Sequence, residues 1–200
     1  DILSQRIRIF QQGNYIPWQP GFERFAAHYR GKLVLPGEST SGLIADYYEI
    51  TEGHFTQQHA MATIPDGCTD FIFTLTQGTV RAYVSASVRD LRSFQFSDPD
   101  LIFGVRFMPG ATCRLFQEPI RQMVHHPVPM EAILKDGILL QDQIAAAATF
   151  QERLLLANRY ILNHLNEDFG KERILEYCTR RIFETHGNIP LKRLSEETGY

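Results

Sequence analysis

Hydrophobic positions come in short runs between residues 42 and 108, with turn-forming residues between them, and beyond residue 112 they lengthen and take helical spacing. The runs 42–50, 60–64, 69–76, 79–84, 93–96 and 101–108 predict strands, punctuated by Pro65-Asp66-Gly67, Gln77-Gly78 and Asp98-Pro99-Asp100. Together they predict an antiparallel β sheet or barrel. A period of two puts Phe71, Phe73 and Leu75 on one face of their strand and Asp70, Ile72 and Thr74 on the other. In 101–108 it sets Phe103, Val105 and Phe107 against Ile102, Gly104 and Arg106.

The second half predicts helices. One apolar stripe runs through Leu154, Leu155, Asn158, Ile161, Leu162 and Leu165, and another through Ile174, Leu175, Cys178, Ile182 and Phe183. Gly170 is a natural break between them, and His186-Gly187-Asn188 ends the second. Ala145 to Ala148 is good helix-forming sequence. A last short helix is expected over Leu191–Thr198, with Pro190 at its first position, Leu191 and Leu194 on one apolar face and Gly199 in the turn that follows.

Three segments carry a family resemblance. The stretch from Leu191 to Tyr200 resembles the scaffold helix "Leu-x-x-Leu-(Ala/Ser)-x-x-x-Gly-(Tyr/Phe)" that opens the helix-turn-helix of AraC/XylS-type transcriptional regulators. The runs Ile64-Pro65-Asp66-Gly67-Cys68-Thr69-Asp70 and Gly104-Val105-Arg106-Phe107-Met108-Pro109-Gly110 are similar to two motifs of a cupin-like sensor domain that precedes such helix-turn-helices. The resemblance implies an α+β chain: an amino-terminal extension (1–34), a cupin-like sensor (35–149), a helical connector (150–186) and the start of a helix-turn-helix (187–200). It further implies a cytoplasmic one-component regulator that answers to a small-molecule effector and binds promoter DNA as a full-length protein. On this reading the chain is no enzyme and takes no cofactor or metal. A homodimer through helices between residues 150 and 186 is expected, because the first stripe is wider than one solvated helix needs.

Composition permits this picture. A chain of 200 residues with 44% hydrophobic side chains can fill a sizeable core. The net charge of -3 divides as 12 basic against 15 acidic residues through Phe150 and 8 against 8 afterwards, so no basic field marks a DNA-binding surface. No long apolar run predicts a membrane span. Cys68, Cys113 and Cys178 are odd in number and scattered, which fits a reducing compartment better than a disulfide framework.

The candidate chemistry lies in the strands. Asp70 and Arg106 are each the lone charge in an apolar run, and unpaired burial would be costly, so they are expected to meet. Either the pair fixes strand order, or Arg106 is released to hold an anionic effector with its planar fork of donors. Phe71, Phe73, Tyr83, Phe103 and Phe107 are expected to wall an effector pocket with Asp70 and Arg106. Cys68 reads as a structural thiol, because Asp66 and Asp70 disfavour its thiolate. His54, His59, His125 and His126 lack the His-x-His and carboxylate spacing of a cupin metal site. Lys192 and Arg193 are candidate contacts to the DNA backbone in the full-length protein. The competing reading is a cupin-like enzyme or small-molecule binding protein with a helical appendage.

Overall fold

The structure is a computed structural model that describes residues 17, 19, 30–34, 42–51, 61–94, 100–116, 120–124, 126–165 and 172–200. The strands in chain order are β1 (Arg30–Val34), β2 (Ile44–Thr51), β3 (Met61–Thr63), β4 (Thr69–Thr76), β5 (Thr79–Ala86), β6 (Arg92–Phe94), β7 (Leu101–Phe107) and β8 (Val128–Pro129). The helices are α1 (Gly137–Ala146), α2 (Phe150–His164), α3 (Glu172–Glu184) and α4 (Leu191–Thr198). The chain divides into two compact units, one of them Pro17–Leu165 and the other containing the described residues 172–200.

In the larger unit six strands pair antiparallel in the order β1-β2-β7-β4-β5-β8, and β3 pairs with β6 in a separate sheet. β7 enters between β2 and β4, and from Ile102 to Phe107 it is buried on both faces. An apolar strand covered on both sides is stable only at the centre of a sheet. The β4–β5 hairpin turns on Gln77 (φ 46) and Gly78 (φ 80), two left-handed residues whose twist matches that of the flanking strands.

One face of this sheet forms the main core. Phe71, Phe73, Val84, Phe103, Val105 and Phe107 pack there with Leu140 and Ile144 of α1 and Phe150, Ala157 and Ile161 of α2. The rings interlock, Phe71 on Phe107 edge to face at 4.6 Å and Phe103 on Phe150 at 6.0 Å. Each buried phenylalanine contributes roughly 1.5–3 kcal/mol of burial free energy.

The expected strands are present with small changes of boundary, and the region after residue 112 is largely helical. Two strands and one helix went unforeseen. β1 is an edge strand within the stretch expected as an extension, and Gln19 of that stretch exchanges two hydrogen bonds with the Ile64 backbone, at 2.7 and 2.8 Å. β8 is only two residues long. α1 was obscured because Ile138 and Leu139 are exposed while Leu140 and Ile144 are buried, leaving no clean stripe. It ends at Ala146, so Ala147 and Ala148 lie outside it.

Within the stretch 150–186, α2 belongs to the sheet unit and α3 to the other. The buried face of α2 is Phe150, Arg153, Ala157, Tyr160 and Ile161, rotated from the expected stripe, and Leu155 and Leu162 are exposed. Thr149 caps α2 in a capping box with Glu152. Gly170 lies outside the described residues.

In the smaller unit α3 and α4 are joined by a turn through His186 (φ 53) and Gly187 (φ 77). Pro190 is the residue before α4 rather than its first, and Leu191 is exposed while Leu194 is buried, which corrects the expected apolar face. Gly199 takes the left-handed conformation anticipated for it (φ 74).

Candidate functional site

The face of the sheet opposite the phenylalanines carries a buried polar cluster. The register aligns Asp46 of β2, Arg106 of β7 and Asp70 of β4 in one row across three strands, with Ser85 of β5 next to Asp70. Directly opposed residues share a face, so strand pairing alone brings these charges together. Arg106 is 4% exposed. Its Nη1 donates to both carboxylate oxygens of Asp70 at 3.2 Å, and its Nη2 donates to Asp66 in the turn before β4. The expected Asp70–Arg106 pair is therefore formed, and a second carboxylate joins it.

That turn is shaped by its own hydrogen bonds. Asp66 accepts from the Cys68 amide at 3.1 Å, while Ser87 Oγ accepts from the amides of Asp66 and Gly67 at 3.2 and 2.9 Å. Gly67 has φ +75, and a Cβ on it would lie 3.1 Å from Pro109. The two segments that resembled sensor-domain motifs thus meet in space, Gly67 against Pro109 and Asp66 with Asp70 on Arg106.

Tyr48 completes the cluster. A Cβ at Gly104 would lie 2.0 Å from Tyr48 Cζ, so the ring rests on β7 where only glycine leaves room. Its hydroxyl hydrogen-bonds the Asp70 carboxyl group, and burial first, then the Asp70 charge, push the phenol well above its usual range. Burial also raises the Asp70 carboxyl, to about 7; Arg106 opposes the rise, while Asp66 and Asp46 add to it. Burial holds Cys68 firmly in its thiol form, in keeping with a structural role.

The structure divides the expected pocket residues. Asp70 and Arg106 touch, and Tyr83, half-buried opposite Ile72, stands on their face of the sheet. Phe71, Phe73, Phe103 and Phe107 point the other way into the helix-covered core and are at most 1% exposed, so they cannot wall a pocket around Asp70 and Arg106. Alternation along each strand enforces this separation. Lys192 and Arg193 lie on the exposed surface of α4, next to Glu196 at 3.9 Å and Glu197 at 3.0 Å respectively.

Sequence reasoning passed over Asp46 and Gly104 as members of this site, set Tyr48 only at the flank of the sheet, and took Asp66 for a turn residue. Signals were present: Asp46 is a charge within an apolar run, and Gly104 is a glycine inside a strand, which marks a close approach. Among the described residues no group of His, Cys, Asp and Glu is arranged to hold a metal ion. His54, His59 and His125 lie outside the described residues, and His126 is exposed. No helix among the described residues is long and apolar enough to cross a membrane.

The model of a family described as a domain of unknown function (DUF6597) matches residues 32–129. The match runs from within β1 to the end of β8, covering the six-stranded sheet and both motifs around Arg106 and stopping before α1. No curated protein and no solved structure matches the chain.

Proposed function

We propose that this chain is the ligand-sensing and dimerising part of a cytoplasmic one-component transcriptional regulator of the AraC type, without enzymatic activity or cofactor. The observation that carries the reading is the meeting of two separated motifs around Arg106 in a sheet domain whose chain later continues into Leu191–Thr198 and a left-handed Gly199. The cupin-like assignment and the helix-turn-helix assignment are both parts of this proposal.

In this reading a small-molecule effector engages the polar face, where Asp70 and Tyr83 are its contacts and Arg106 orders the strands behind them. The core phenylalanines contribute only stability. α2 supplies a dimer contact through Leu155 and Leu162, 51% and 41% exposed. Lys192 and Arg193 hold DNA phosphates once a recognition helix stands beside α4, because the second helix of such a pair reads base edges and the first supports it.

The test is selection of genomic DNA fragments by the full-length protein followed by mobility-shift titration. One recurring operator sequence, bound by the full-length protein and not by residues 1–200 alone, supports the reading. A full-length protein that selects no sequence overturns it.

A further inference from the structure

The polar cluster contains more acid than its one guanidinium can balance. Asp66 and Asp70 both bond Arg106, with side chains 6% and 15% exposed. Setting Asp46 aside, two carboxylates share one cation in a place largely removed from water. Removing charge from water is costly, and a second like charge within a few ångströms raises that cost. The least expensive relief is a proton on one carboxyl group.

Geometry selects the carboxyl. Asp66 meets Arg106 through Nη2 and also accepts the charge-stabilising Cys68 amide. Asp70 meets the guanidinium at 3.2 Å, and its other bond is to the Tyr48 hydroxyl, a neutral partner. The titratable and charged groups around Asp70 are Arg106 from β7, Asp46 and Tyr48 from β2, and Asp66 and Cys68 from the preceding turn; β5 presents the uncharged Ser85.

We propose that Asp70 is a proton-operated latch between β4 and β7: proton uptake from solvent converts its ion pair with Arg106 into a hydrogen bond from the guanidinium to an uncharged carboxyl group and leaves Asp66 to balance the guanidinium's charge. The latch stands whether or not the chain regulates transcription. Where it does, the latch makes the strength of the polar face depend on pH near neutrality, since the Asp70 carboxyl is raised to about 7.

A carboxyl group raised on folding binds its proton more tightly in the folded state than in the unfolded chain. Stability from this site is therefore largest at acid pH and falls as pH climbs from about 4 through 7. Between pH 6 and 8 the wild-type Tm should fall by about 3 °C relative to Asp70→Asn, in which the titrating group is gone.

Carbon-13 spectra of aspartate-labelled wild-type protein give the direct readout. One aspartate carboxyl should titrate near pH 7, and Tyr48→Phe should move that midpoint upward, because the lost hydroxyl bond favours the charged form. This arm needs no folded Asp70→Asn protein. All aspartates titrating below pH 5, a near-neutral midpoint indifferent to Tyr48→Phe, or a near-neutral carboxyl that persists in folded Asp70→Asn would each overturn the latch.

Discussion

The carboxylate of Glu49 on β2 meets the guanidinium of Arg153 on α2 at 2.8 Å, and both side chains are buried. One residue earlier on the same strand, Tyr48 faces the other way and bonds Asp70. β2 thus carries a polar-cluster residue and a helix-anchoring residue side by side. Arg153 also donates to the Ala147 carbonyl at 2.8 Å, closing the end of α1, and Tyr47 donates to Asn158 at 3.3 Å.

Truncating Glu49 should therefore strand a buried cation between sheet and helices. Glu49→Ala is expected to destabilise by about 3–5 kcal/mol, the range for removing one member of a buried pair. The double variant Glu49→Leu/Arg153→Met should recover much of that loss. Urea unfolding of the wild type and these two variants checks this; a double variant no more stable than Glu49→Ala would show that the pair does not act as a unit.

Gly104→Ala should cost about 1–3 kcal/mol, because the new Cβ collides with a buried ring. The strain comes from crowding, since no positive φ is involved at this position. Combining it with Tyr48→Ala should make the added methyl nearly harmless. Urea midpoints that fall additively would contradict the close approach.

Thr149→Ala removes the side chain that caps α2 and should destabilise by about 1 kcal/mol. Its partner Glu152 has its carboxyl held below the usual range by the amides of Thr149 and Ala148. A lowered carboxyl contributes stability above its unfolded value of 4.5 and loses it as pH falls through the folded value. Glu152→Gln should flatten that part of the acid-unfolding curve and leave the rest unchanged.

In the smaller unit Glu197 accepts from Arg181, Tyr177 and Arg193. Arg181 first and Tyr177 next hold its carboxyl down at about 2, so the clasp between α3 and α4 persists above pH 4.5 and is lost between there and 2. Glu197→Gln should speed amide exchange in α4 at neutral pH and leave exchange in the other unit's core unchanged. Unchanged exchange would mean that Leu194 packing alone seats the helix.

Much of the architecture is local information, and for that reason the sequence by itself determined it. The alternation of Thr69–Thr76, the two-residue turn at Gln77-Gly78 and the glycine ending α4 depend on neighbouring residues, and each is present as expected. The Asp70–Arg106 pair was also legible, because lone charges on apolar strands must find partners. Strand order and helix orientation are different in kind. Which strand lies beside β2, that Arg153 faces inward to a glutamate 104 positions away, and that the phenylalanine face is the one the helices cover were decided only by tertiary pairing. Hydropathy assigns an arginine outward and cannot see the distant acid that reverses the assignment; that compensation exists only once the chain has closed.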